Sequence, residues 1–368
     1  MLASHREANR PLFDLTESNP TNAAVPYAGD RIRNALAAPE VLTYEPSAFG
    51  IAAARETVAR LWASRGISVD PDRVVLTAST SEAYSFLFKI LCDPGDRVLV
   101  PAPSYPLFEH LARYECVEVV PYRLSYDGVW HVDLASLGAA VSDRARAIVV
   151  VSPNNPTGSY VKDDEIARIA ELELPIISDE VFAAYPVNED PRRSRSVLET
   201  EGPLVFALDG LSKLALLPQM KLSWITVAGP EPAVRESLGA LELLADTFLS
   251  PGAAVQHALP VLLEASEGAR RHVLERIRRN LSFVRDVALG TPATVLDVEG
   301  GWYAVLRLPN VRTEEQWVLG LLGDRDVLVQ PGWFYDFESE PYVVLSLITP
   351  EHVLREGARR LVEYVTRA

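Results

Sequence analysis

Cysteine is scarce in this 368-residue chain, which has only Cys92 and Cys116. Two thiols cannot build a disulfide framework and show no metal-ligand spacing. A reducing compartment is therefore the default, and both read best as small buried hydrophobes. Positive charge is also short, with 35 Lys and Arg against 50 Asp and Glu and a net charge of −15. That balance argues against a nucleic-acid partner, because phosphate backbones are bound by clustered basic side chains, but it leaves room for a local pocket around one small phosphate. No apolar run reaches the roughly 18 residues that suggest a membrane span. The first eleven residues carry His5, Arg6, Glu7 and Asn9 where a signal peptide would be apolar. A cytoplasmic protein with no membrane partner is expected. The six histidines never fall in a His-x-x-x-His or similar pair, so no metal centre is expected either. No internal repeat or low-complexity tract is visible.

What the chain does have is length for two lobes and a regular rhythm. After a polar arm and a short helix, a helical pattern over 52–65 places Ala54, Val58, Leu61 and Trp62 on one face. Seven short strand-like runs follow at 74–77, 98–100, 117–122, 147–151, 175–178, 204–208 and 222–228. Helical stretches at 81–91, 106–114, 133–141 and 163–172 separate them. This βαβα order predicts a mainly parallel, seven-stranded sheet covered on both faces, an α/β large domain. Beyond residue 230 the pattern becomes helical (231–248, 251–264, 267–289). It then turns α+β, with strands near 295–298, 303–308, 327–329 and 342–347 and a last helix from Pro350. The expected division is an arm and part of the small domain over 1–40, a large domain over 41–274 and a small domain over 275–368.

Ligands of such sheets sit beyond the carboxyl ends of the strands. After the first strand, Ser79, Thr80 and Ser81 open a helix, where free N–H groups and the helix dipole suit a phosphate; Ser79 with Glu82 reads equally well as a plain capping box. Tyr105 sits among Pro101, Pro103 and Pro106, either as a stacking platform or as a packed turn aromatic. Asn154 and Asn155 lie between Pro153 and Pro156 in a rigid turn that offers an amide, or simply caps itself. The run ending at Asp179-Glu180 puts a carboxylate at the crevice, which calls for a cationic partner if buried. Finally, Ser212-Lys213 brings a lysine into an apolar segment, where desolvation frees the amine for attack on a carbonyl.

Together, Asn155-Pro156-Thr157-Gly158, Asp179-Glu180 and Ser212-Lys213 resemble the class I/II aminotransferases of the fold-type-I pyridoxal-phosphate enzymes, similar to aspartate aminotransferase, in that family's order over nearly the whole chain. The resemblance implies pyridoxal 5'-phosphate held on Lys213 as a Schiff base, with Lys213 also shuttling the proton. It implies Asp179 at the ring nitrogen, Asn155 at the phenolic oxygen and Tyr105 on the ring face. Ser79, Thr80, Ser81, Ser212 and Lys221 would hold the phosphate, with Tyr44 reaching across a homodimer interface. The implied partners are an amino donor and an oxo-acid acceptor, exchanging an amino group by a ping-pong mechanism.

Three departures bear on specificity. Lys221 stands where the family has an arginine on the phosphate. Phe182 stands where it has a tyrosine that donates to the phenolate oxygen, which raises the question of whether Tyr185 replaces it. Val344 stands where it has the arginine for the substrate carboxylate, and 327–354 contains no Arg or Lys. Arg307 or Lys221 are alternative cations, Trp333 and Phe334 either line an apolar pocket or pack in the core, and Asn19 is a further substrate candidate. The missing arginine keeps open a lyase, decarboxylase or cyclising enzyme with the same cofactor; a regulatory module without turnover is the remaining alternative.

Overall fold

The computed structural model describes residues 2–7, 10–339 and 341–368. All seven expected runs pair into one sheet, joined by an eighth strand. In chain order they are β1 (Val74–Thr77), β2 (Arg97–Ala102), β3 (Glu118–Tyr126), β4 (Trp130–Val132), β5 (Ala145–Val151), β6 (Ile176–Asp179), β7 (Val205–Gly210) and β8 (Ser223–Ala228). Across the sheet the order is β1-β8-β7-β6-β5-β2-β3-β4. Only β8 and the edge strand β4 run antiparallel to their neighbours. The count of seven is thus corrected to eight. β4 is three residues long, too short for a periodic pattern to reveal.

Alternate residues of these strands enter two different cores. Val74, Leu76, Ile148, Val150 and Ile176 pack on one face with the helix Ala52–Ser64. Val75, Val98, Val149, Ile177 and Leu208 pack on the other with the helices Thr80–Leu91 and Glu231–Phe248. A strand buried on both faces needs an unbroken apolar run, which explains why these segments stood out in the sequence.

The region expected to hold two helices, 251–264 and 267–289, is one 36-residue helix, Ala253–Ala288. Pro260 lies on its solvent side without ending it, and Gly268 meets no neighbouring atom that would force a break. Val255, Ala258, Leu259, Leu262 and Ala265 belong to the large-sheet core. From Ala269 onward, Val273, Ile277, Leu281 and Val284 belong to another core. We infer that the lobes change over between 265 and 269, slightly before the expected boundary at 274. The second core is built on a four-stranded antiparallel sheet in the order Thr294–Val295, Tyr303–Arg307, Tyr342–Ser346, Gln330–Pro331. The N-terminal arm joins it, since Phe13–Asp14 pairs with Val327–Leu328 and Leu15 is fully buried there. No single helix among the described residues is long and apolar enough to cross a membrane.

The Asn-Pro-Thr-Gly turn is anchored to the small lobe: Gly300 N–H donates to Gly158 O at 2.9 Å. Gly158 has φ +73, and a Cβ there would lie 2.6 Å from Gly300 O. Gly158→Ala is expected to cost roughly 2 kcal/mol or more in denaturant unfolding, from backbone strain and the clash together. Gly268→Ala, in open space on a helix, should stabilise by up to about 1 kcal/mol in the same assay.

Candidate active site

Four strand ends converge on one crevice. β6 ends at Asp179, paired in register with Val151 of β5 and Leu208 of β7, and β7 leads through Gly210 into the short helix Leu211–Leu214 that carries Lys213. Gly210 is required by packing, not by dihedral angle: its φ is 178, but a Cβ would meet Ser223 Oγ at 2.2 Å. This close crossing of β7 and β8 aims the lysine. β2 brings the loop of Ser104 and Tyr105, which Ser104 Oγ ties to Asn154 Oδ1 at 3.1 Å.

Lys213 Nζ lies 4.7 Å from the centre of the Trp302 ring and 5.5 Å from that of Phe182. It makes no hydrogen bond among the described residues. Desolvation lowers its pKa from the ordinary 10.5 to about 8, while the field of Asp179 works in the opposite direction. Burial pushes the Asp179 carboxyl up to about 6, against the pull of Val181 N–H, the Tyr84 hydroxyl and the lysine charge; Asp209 adds to the rise. Val181 N–H and Tyr84 Oη donate to Asp179 at 3.2 and 3.3 Å, both long contacts. Among the described residues the carboxylate therefore has two weak donors and no cation in direct contact, an arrangement suited to a protonated ring nitrogen.

The other expected groups fit the cofactor in kind. Asn155 is buried, and its Oδ1 has no hydrogen-bond partner. Its amide makes no side-chain hydrogen bond among the described residues, so this buried group awaits a partner. Asn154, by contrast, is fully used, donating to Pro103 O and Thr157 Oγ1. Thr80, Ser81, Ser212 and Lys221 make no side-chain hydrogen bond among the described residues, and all are at least partly exposed. The first N–H groups of the helix Thr80–Leu91 have no acceptor within the helix. Ser79 differs: its Oγ accepts from Glu82 N–H at 3.1 Å, so it caps the helix, but the reciprocal half of a capping box is missing, since Glu82 accepts from Ala78 N–H and the Ser250 hydroxyl instead. Tyr105 is 44% exposed, which leaves its ring available for stacking.

The remaining candidates are placed elsewhere. Arg307 is the exposed last residue of Tyr303–Arg307. Tyr303, at the other end of that strand, interacts electrostatically with Tyr105, so Arg307 lies ~13 Å further along. Asn19 folds onto its own turn, where Oδ1 accepts from Thr21 N–H and Oγ1. Trp333 and Phe334 are 63% and 42% exposed, so neither packs in the small-lobe core. Tyr44 is 80% exposed and stands clear of this chain's crevice residues. Val344 is fully buried within the small sheet, paired with Val305 and Gln330. Tyr185 does not replace the missing tyrosine, because its hydroxyl donates to the backbone O of Lys213 at 2.7 Å. Sequence reasoning missed Tyr84 and Trp302. Tyr84 looked like an ordinary apolar-face residue of its helix, and only the Gly300-Gly301 turn before Trp302 hinted at a close approach.

A desolvated lysine in the field of a half-buried carboxylate, an unpartnered buried amide and a phosphate-ready helix start, on a mainly parallel sheet with a second lobe, define a fold-type-I pyridoxal-phosphate enzyme. The chain belongs to the family of class I and II aminotransferases, whose profile matches residues 10–357. It is similar to S-alkyl-thiohydroximate lyase SUR1 of Arabidopsis thaliana, 26% identical over 92% of this chain and 76% of that protein. It is similar to the tyrosine aminotransferase of Homo sapiens, 24% identical over 97% and 81%. The solved alanine aminotransferase from Pyrococcus furiosus shares its fold, with a TM-score of 0.90 at 23% identity over 100% of this chain and 95% of that one. The protein is thus an enzyme that transfers amino groups with pyridoxal 5'-phosphate.

In cofactor-free protein, pH-dependent labelling of Lys213 with an amine reagent should show a midpoint near 8. In Asp179→Asn the midpoint should fall further, because the carboxylate's field favours the charged amine. An unchanged midpoint would separate the two groups electrostatically.

Proposed function

We propose that the enzyme moves an amino group between an amino-acid-like donor and a 2-oxo acid by a ping-pong cycle in which Lys213 carries the cofactor. The observation that bears most weight is the placement of Lys213 Nζ against the Trp302 and Phe182 rings, free of any hydrogen bond among the described residues, on the helix that follows the strand beside Asp179. Bound there, the cofactor supplies an electron sink for the pair left at the donor carbon. Asp179 balances the charge of a protonated ring nitrogen, and Tyr84, kept neutral by burial and the carboxylate beside it, donates to Asp179 from behind. Lys213 Nζ, with a sizeable unprotonated fraction at neutral pH, takes the proton from the donor's reacting carbon. Asn155 orients the ring oxygen; Thr80, Ser81, Ser212, Lys221 and backbone N–H groups hold the phosphate. Lys221 keeps the charge of an arginine but not its forked geometry. The Trp302 and Phe182 rings keep water from the lysine.

A homodimer belongs to the same proposal. Leu42 and Tyr44 are 90% and 80% exposed on one loop, apolar surface that a second copy would cover, placing Tyr44 at the partner's phosphate. A cytoplasmic location also belongs to it, and two free thiols, Cys92 and Cys116, suit a reducing compartment. One observation favours a second reading, a lyase-type reaction: Val344 is buried where a carboxylate clamp is expected, and 327–354 contains no cationic Lys or Arg.

Absorbance spectroscopy of the purified holoenzyme tests the first reading. A suitable amino donor should convert the cofactor to its amine form stoichiometrically, and a 2-oxo acid should restore it. Product release without that conversion would favour the lyase. Borohydride should fix the cofactor on Lys213, and Lys213→Ala should lower turnover by a factor of at least about 10³, the scale of losing an essential acid–base group. The cofactor–lysine linkage should also hold its proton to higher pH than in Phe182→Tyr, which restores a donor to the phenolate oxygen. An absorbance titration with the same midpoint in both proteins would refute that role for position 182.

A further inference from the structure

A cleft of about 670 Å³ lies behind the lysine helix, with Leu214 and Ala184 in its wall; Lys213, Asp179, Asn155 and Tyr105 do not line it. Four arginines do: Arg65, Arg193, Arg195 and Arg270. They come from three separate parts of the chain. Arg65 follows the helix Ala52–Ser64, Arg193 and Arg195 lie on the loop after β6, and Arg270 is on the long helix. Two of them are close neighbours, since Arg195 Nη1 lies 2.8 Å from where a Cβ on Gly66 would stand.

The acids nearby are mostly committed. Asp209 takes Arg65 Nη2 at 2.9 Å, Glu299 is shared by Lys162 and Arg193, Glu199 pairs with Arg195 and Asp190 with Arg192. Glu180 is buried; its Oε1 accepts from Ser196 and Val197, its Oε2 is buried without a hydrogen-bond partner and feels the charge of Arg65, and Glu189 is exposed at the lip. Three sets of donors remain. Arg65 Nη1 is buried with no acceptor. So is Nε of Arg193, whose side chain is only 8% exposed. Arg270 is half-buried and makes no hydrogen bond or ion pair among the described residues, having only longer-range interactions with Asp209 and Tyr185. Buried guanidinium N–H groups without acceptors cost free energy, and a planar fork matches paired oxygens best.

We propose that this cleft is a binding site for a small multivalent oxyanion, a phosphate or a di- or tricarboxylate, distinct from the cofactor site. Arg270 and the open side of Arg65 grip its oxygens, and Arg193 Nε closes the back. The ligand would bridge the two lobes, because Arg270 sits on the segment where one core gives way to the other.

Calorimetric titration of the cofactor-saturated holoenzyme tests this, using inorganic phosphate in one arm and citrate in the other, with ionic strength held by potassium chloride. Occupying the cofactor site beforehand removes it as a competing phosphate site. The expected result is saturable binding at one site by at least one of the anions, and the arm that responds identifies the chemistry. Arg270→Gln should weaken it by about tenfold or more, the scale of a charge-assisted hydrogen bond, while cofactor absorbance stays unchanged. Arg270→Lys, which keeps the charge and loses the fork, should fall between the two and serves if the glutamine variant does not fold. No saturable heat in either arm, or the same affinity in the Arg270 variants, would overturn the proposal.

Discussion

The site rests on a mutual constraint between two desolvated groups. Lys213 would hold its proton far more tightly in water, and Asp179 would lose its own far more readily. The apolar strand ends bring both toward neutrality, and each one's field partly restores the other's charge. Neither contacts the other in an ion pair. That gap separates this arrangement from a structural salt bridge, which would fix both charges and leave no reactive amine. The buried Lys162–Glu299 pair shows the alternative: contact at 2.6 Å with the ammonium also donating to Tyr160 O, a strut with no spare chemistry.

The supports of this pair come from different levels of the fold. β6 and β7 are adjacent and parallel, so the residues at their carboxyl ends emerge side by side. The crossing at Gly210 and Ser223 sets the direction of the lysine helix, and Tyr185 clamps that helix from below through the Lys213 carbonyl. Tyr27 adds a second clamp, its hydroxyl donating to Leu216 O at 2.7 Å. Tyr27 belongs to the N-terminal arm, so the far end of the chain takes part in positioning the reactive amine.

Much of this was legible in the sequence because the features are local. Short apolar runs marked the doubly covered strands, and residues just past their ends marked the crevice, so Lys213, Asp179 and the Asn154-Asn155 turn stood out as candidates, and the family resemblance supplied the choice of Asn155 and the roles. Other features depend on contacts between distant segments. Whether Phe182 was compensated by Tyr185 could not be read from the string, because the answer is a hydroxyl pointing the other way, to a carbonyl 28 residues later. Tyr84 lies 95 positions from the carboxylate it supports. Arg307 carried the right charge, but its place at the exposed far end of its strand depends on the fold of the small sheet and could not be read from the string. The break expected between 264 and 267 does not occur, because Ala265 and Ser266 are both buried and the helix runs on through them from one core into the other.

That unbroken helix also acts as a lever arm. At 36 residues it is ~54 Å long, rooted at one end in the large-sheet core and carrying the small lobe's sheet along the other. A bend of about 10° near Ser266 would swing Ala288, ~33 Å away, through roughly 6 Å, while residues near the pivot hardly moved. Small adjustments beside the lysine are thereby geared up into large displacements at the outer edge of the molecule, with no flexible connector needed.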